Sequence, residues 1–400
     1  MIIGSSSDEC YGLGVPDTEI VPFQVQVADD VITDLRDRLA RTRWPDQLAD
    51  TAWEYGTDLT CTQRLCEYWR TGYDWRRFEE ACNRFAQYRT VIDDQLIHFV
   101  HVRSPVVTAR PLLLIHGWPG SILEFSEVIG PLTDPAAHGG QAEEAFHVIA
   151  PSLPGYGFSG PTSDRGWNNV RIAQAFGELM ERLGYRRFFA QGGDWGALIT
   201  LTLADLFSER VAAAHINLLA VPPPAGTDST EELTEDELAG LGATRNFQTF
   251  ETGYQAIQST KPQTLAYGLT DSPAGLAAWI LEKFHSWSDN KGQLDDVLTM
   301  DQILDDISIY WITGTINSSM RLYAETIGPA RSSLPGAPAV PLGHSAFPAE
   351  IMRVPRSWAE HAYPTLCYWQ PVPRGGHFAA MEQPQIFVDE IRTFFGRRAL

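Results

Sequence analysis

The segment 188–201 reads Phe188-Phe189-Ala190-Gln191, then Gly192-Gly193-Asp194-Trp195-Gly196, then Ala197-Leu198-Ile199-Thr200-Leu201. A bulky apolar run, a polar side chain bracketed by glycines and a second apolar run are the pattern of a strand, a tight elbow and a helix. The glycines leave room for a strained backbone and for close packing of strand on helix. The central side chain is thereby pushed out at a helix N-terminus, where free N–H groups and the helix dipole favour an anion. Such an elbow belongs at the carboxyl end of a strand in an open α/β sheet, which is where sites are built in that architecture.

The rest of the chain fits a sheet of that kind. The runs LIHFVHV, PLLLIHG, FHVIAPS, RFFAQGG and AAHINLL are short and β-rich, and helical stretches separate them, which predicts a mainly parallel sheet. Ahead of it, Val31, Leu35 and Leu39 share one helix face, Arg43-Trp44-Pro45 ends that helix, and a further helical stretch covers about Cys61 to Gln87. After Pro222-Pro223-Pro224 the pattern turns helical as far as Ala330. Sheet-like runs resume at Ala339-Val340-Pro341-Leu342 and at Thr365-Leu366-Cys367-Tyr368-Trp369, and a last helix spans Pro384 to Phe395. The expected organisation is a flexible leader over 1–20 and a helical N-terminal extension over 21–90. An α/β core follows over 91–221 and 331–400, interrupted by a helical cap over 222–330.

The net charge of −20 repels nucleic acid and anionic lipid, so a small neutral or cationic molecule is the expected partner. Five cysteines without CxxC spacing argue against a disulfide framework and against a zinc site, and point to a reducing cytoplasm. No stretch has the length and apolarity of a signal peptide or membrane anchor. Aromatic residues concentrated in the extension and cap suggest a homodimer.

The chemistry follows from Asp194. A carboxylate is ionised at neutral pH and attacks without a base, and its natural target is an electrophilic sp³ carbon. The resulting ester must then be hydrolysed, which requires an activated water and an oxyanion hole. His116-Gly117-Trp118-Pro119 directly follows the buried run LLLI, so the backbone N–H groups of Trp118 and Trp195 are the expected hole. His377, in the loop Arg374-Gly375-Gly376-His377-Phe378 after the last strand, has the chain order of a base that follows nucleophile and acid. Between Arg331 and His377 the only carboxylates are Glu350 and Glu360; Glu350 follows a strand-like run and is preferred, whereas Glu360 reads as solvated helix surface. Opening an epoxide also needs a proton donor for the departing alkoxide, and a phenol suits. Tyr254, Tyr267, Tyr310 and Tyr323 all lie in the cap, and spacing does not choose between them. No cofactor or metal is needed.

These motifs resemble the microsomal-type epoxide hydrolases of the α/β-hydrolase superfamily, from Pro22 to the final helix. The resemblance rests on Arg43-Trp44-Pro45, His116-Gly117-Trp118-Pro119-Gly120, Gly192-Gly193-Asp194-Trp195-Gly196, Thr260-Lys261-Pro262, Glu282-Lys283-Phe284, Tyr310-Trp311, Ser345-Ala346-Phe347-Pro348 and the loop around His377. It implies Asp194 as nucleophile, His377 as base, Glu350 as its orienting acid, and Tyr254 and Tyr323 as donors to the epoxide oxygen. It further implies conversion of an epoxide, aryl or otherwise bulky, and water to a vicinal diol by a soluble bacterial enzyme, with enediyne-type antibiotic pathways as one setting. A haloalkane or haloacid dehalogenase shares the Asp-Trp elbow and chain order, and a ligand-binding receptor on the same fold would keep the pocket without turnover.

Overall fold

The computed structural model describes residues 19–224, 233–329, 334–396, 398 and 400, so the leader expected over 1–20 lies almost wholly outside it. The described residues form one sheet of nine strands: β1 (Val21–Phe23), β2 (Gln87–Ile92), β3 (Gln95–Val102), β4 (Arg110–Ile115), β5 (Phe146–Pro151), β6 (Phe188–Gly192), β7 (Val211–Ile216), β8 (Leu342–Ala346) and β9 (Leu366–Pro371). Their order across the sheet is β1-β2-β3-β5-β4-β6-β7-β8-β9. The four strands β1, β2, β3 and β5 pair antiparallel in turn, and β5, β4, β6, β7, β8 and β9 run parallel. This is the α/β-hydrolase fold. Every residue of β6 is buried, as both faces of a parallel sheet must be covered.

The helices begin with three of the extension, α1 (Asp29–Ala40), α2 (Leu59–Thr71) and α3 (Trp75–Asn83). Helices α4 (Ser126–Thr133), α5 (Asn169–Arg182) and α6 (Asp194–Leu206) lie between strands. The cap comprises α7 (Glu235–Asn246), α8 (Gly253–Thr260), α9 (Pro262–Asp271), α10 (Pro273–Trp287), α11 (Met300–Thr313) and α12 (Ile316–Thr326). After it come α13 (Arg356–Ala362), α14 (Ala379–Glu382) and α15 (Pro384–Phe395).

Two details differ from the sequence-based expectation. The stretch expected to be helical through Gln87 breaks after Gly72, because Asp74 caps a new helix by accepting from the N–H groups of Arg76 and Arg77. The extension is also not wholly helical. Val21–Phe23 adds an edge strand to β2, with Val21 opposite Arg89 and the Arg89 guanidinium 3.7 Å from the Phe23 ring centroid. Three residues are too few for any periodicity to register.

The extension clasps the cap. Trp69 donates its indole N–H to Ser308 (3.1 Å), the Tyr73 hydroxyl donates to Asp305 (2.5 Å), and Arg77 pairs with the same carboxylate. Helix α11, which these contacts hold, starts at a reciprocal Thr299/Gln302 cap and ends at Gly314 in the left-handed region. At the other end of the cap's contact with the core, Gly196 brings α6 so close to β4 that a Cβ there would lie 1.9 Å from the Ile115 carbonyl oxygen. Any side chain at 196 would force the elbow off the sheet.

Candidate active site

Asp194 stands between β6 and α6 at φ +48°, a left-handed backbone that non-glycine residues seldom adopt. Holding it there aims the carboxylate at the loop after β4. Trp118 N–H donates to Asp194 Oδ1 at 2.7 Å. The approach requires glycine at 117, since a Cβ there would sit 2.2 Å from the same oxygen. The loop is anchored by His116, whose ring is buried and kept neutral, burial being the main cause that lowers its pKa to about 4. Its Nε2 accepts from Leu153 N–H (3.1 Å), so Nδ1 carries the proton and donates to the Gly117 carbonyl (3.0 Å). Trp195 is the second residue of α6, and its N–H therefore has no acceptor within the helix.

On the other side of Asp194 lies His377. Its Nε2 is 3.5 Å from Asp194 Oδ2, and its Nδ1 is 2.6 Å from Glu350 Oε1. Glu350 and His377 are both buried, and a bridge between Ala349 and Gly376 ties their two loops together. Burial disfavours a charged imidazole, but Glu350 and Asp194 outweigh it and hold His377 well above its ordinary range. Glu360, by contrast, sits on α13 paired with Arg356, as solvated helix surface.

No local sequence signal marks the group that shapes the histidine loop. Glu382 on α14 accepts from the N–H groups of Gly376 (2.9 Å), Phe378 (3.0 Å) and Asp289 (2.8 Å). Burial lifts its carboxyl to about 7. His98 and His215 are buried in strands and hydrogen-bonded to Ser152 and Gln87, and to Ser345, respectively.

The structure separates the four cap tyrosines. Tyr267 is 73% exposed, and Tyr310 spends its hydroxyl proton on the Gly120 carbonyl (2.8 Å). Tyr254 on α8 and Tyr323 on α12 are buried side by side, ring centroids 5.9 Å apart and nearly perpendicular. Tyr254 stacks on Trp118 (5.3 Å, 8°), and Tyr323 meets Trp195 edge to face (4.7 Å, 88°). Burial raises both phenols well above the ordinary tyrosine range, and the Asp194 charge pushes the same way.

Two cavities meet at Asp194. One, of about 530 Å³, is lined by Trp195, Tyr254 and Tyr323 and then by apolar residues including Leu198, Leu218, Phe247 and Met352. That volume and lining suit a small organic ligand. The other, of about 20 Å³, lies among Asp194, His377, Trp118, Gln191, Asn217 and Glu124, which is room for about a single water. Glu124 is a further residue that sequence reasoning missed. Its carboxyl is held well above the usual range, first by burial and then by Asp306. Among the described residues no cluster of three or more His, Cys, Asp or Glu could hold a metal ion, and no helix is long and apolar enough to cross a membrane.

The chain is similar to known proteins over most of its length. Residues 20–125 match the family profile of the epoxide hydrolase N terminus, and residues 110–243 that of the alpha/beta hydrolase fold. A protein of Stigmatella aurantiaca named "Putative epoxide hydrolase" is 50% identical over 94% of this chain and 84% of its own length. Epoxide hydrolase 1 of Sus scrofa is 40% identical over 95% and 89%. Among solved structures, the juvenile hormone epoxide hydrolase of the silkworm Bombyx mori superposes with a TM-score of 0.88 at 34% identity, covering 95% of each chain.

Proposed function

The chain belongs to the epoxide hydrolase family, and from that premise we propose how its own residues divide the work. Asp194 is the nucleophile, Tyr254 and Tyr323 protonate the oxirane oxygen, His377 is the base for water, and Glu350 orients it. The N–H groups of Trp118 and Trp195 form the oxyanion hole. The observation that carries this reading is that the Asp194 carboxylate borders both cavities, with two buried phenols on one side and the histidine on the other. A dehalogenase would have no use for those phenols.

Because Trp118 N–H already holds Oδ1, Oδ2 is the oxygen that attacks an oxirane carbon from the pocket side. The C–O bond of the ring breaks, and the freed oxygen takes a phenolic proton. Esterification removes the negative charge from Asp194, one of the two carboxylates that hold His377 protonated. The imidazole's proton affinity then falls, so it gives up the Nε2 proton, which restores the phenol that protonated the oxirane oxygen; the neutral Nε2 then takes a proton from water in the small chamber. Attack on the ester carbonyl places negative charge on Oδ1, where Trp118 and Trp195 receive it. Collapse releases a vicinal diol and restores Asp194.

The apolar lining supports a bulky, aryl or similarly apolar epoxide as substrate. Cys61, Cys66, Cys82 and Cys367 are free thiols, which supports a reducing, cytoplasmic setting. The test is a single turnover of styrene oxide in heavy-oxygen water. Label is expected in Asp194 and not in the first diol; label confined to the diol would sink the ester route.

A further inference from the structure

Helix α10 carries Lys283 into the wall behind Tyr254. Only 4% of its surface is exposed. Its ammonium lies 4.5 Å from the centroid of the Tyr254 ring, 5.5 Å from that of Trp287 and 5.9 Å from that of Trp279, and it pairs with Glu282. Lysine is among the residues least often buried, and an apolar side chain of similar length would fill this aromatic cage without desolvating a charge.

We propose that Lys283 is a positioning residue that acts through Tyr254, stabilising the charge that arrives on this phenol as it protonates the oxirane oxygen. The inference rests on Tyr254 being a proton donor. In the alkylation step Asp194 forms a C–O bond to carbon, the ring C–O bond breaks with its electron pair going to oxygen, and that oxygen takes the phenolic proton. A unit of negative charge thus leaves the carboxylate and appears on the tyrosine. A cation over the ring face interacts weakly with a neutral phenol and strongly with a phenolate, so its attraction is larger in the transition state than in the ground state.

The charged and titratable groups facing Tyr254 make the need for such a cation plain. Asp194 from α6 and Glu282 from α10 both oppose proton release, as does burial, while Tyr323 from α12 eases it. Lys283 is the cation placed against the ring.

The experiment follows tryptophan fluorescence in stopped flow on the full chain, with styrene oxide as the probe, resolving alkylation from ester hydrolysis. Lys283→Met is expected to slow alkylation on the order of tenfold, the factor that ~1.4 kcal/mol represents, and to change hydrolysis by less than about twofold. Lys283→Arg recovers most of the loss. In a Tyr254→Phe background Lys283→Met has no further effect. Equal losses in both backgrounds, or equal slowing of both steps, overturn the proposal and leave Lys283 a packing residue. If Tyr254→Phe alone leaves alkylation unchanged, the donor reading of Tyr254 falls and the inference with it, which the first two outcomes would not imply. Should Lys283→Met fail to fold, Lys283→Gln carries the same comparison.

Discussion

The half of the site built on the sheet and the half built on the cap are held by different forces. Asp194, Trp118, Glu350 and His377 sit at strand ends and are fixed by short hydrogen bonds, 2.7 Å from Trp118 N–H to Asp194 and 2.6 Å between His377 and Glu350. Tyr254, Tyr323 and Lys283 come from three helices and are fixed by ring packing, with Trp118, Trp195 and Trp287 as the surfaces they rest on. In the proposed mechanism the first half controls bond formation to the enzyme and its reversal. There the second half acts only on the departing oxygen. A change in the sheet half should therefore stop the cycle at a defined point, and a change in the cap half should slow one step.

The sharpest test of that division is His377→Gln. It leaves nucleophile and phenols in place, so the ester is expected to build up to one equivalent while turnover falls by about 10³-fold or more. Mass spectrometry of the intact chain after mixing with substrate reads this directly, and turnover without ester would erase the distinction. Next in size are the phenols. Tyr323→Phe should lower the alkylation rate by roughly tenfold and the Tyr254→Phe/Tyr323→Phe pair by about 10³-fold, since two donors cover for one another until both are gone. Ester hydrolysis should be unchanged in the single variant; a parallel loss there would show that the cap also positions the water.

The smallest effect concerns stability. Asp306 on cap helix α11 is buried, and burial raises its carboxyl to about 8, with Ser121 offsetting part of the shift. The folded chain keeps this proton up to about that pH, whereas an unfolded chain releases it near 4. Folding thus takes up a proton between those values, and stability declines as pH rises through that window. Asp306→Asn should raise the melting temperature at pH 8 and leave it near the parent value at pH 4. A gain that is the same at both pH values would mean that titration is not its cause.

The two halves also differ in how far they can be read from sequence. The elbow, the loop after β4 and the histidine loop are backbone conformations, and each demands particular residues within a few positions: Gly117 beside Asp194 Oδ1, Gly196 against β4. Glu350 could be singled out because few carboxylates precede His377. The phenols carry no such local mark. Tyr310 and Tyr323 are both buried on neighbouring helices, and what parts them is that one donates to the Gly120 carbonyl while the other faces Asp194's pocket. Glu382, Glu124 and Lys283 were invisible for the same reason, since each acts through neighbours that only the folded chain supplies. Strand β1 was missed because three residues pair with β2 through their backbone, which any sequence can do.

The disparity between the two cavities decides what can finish the reaction. Methanol reaching the ester carbonyl would release the diol but leave Asp194 methylated, and the nucleophile would be spent. A compartment of about 20 Å³ beside Asp194 and His377 has room for about one water, so little methylated Asp194 is expected by mass spectrometry of the intact chain after turnover in methanol–water mixtures. A sieve of that kind would act on the second substrate, not the first.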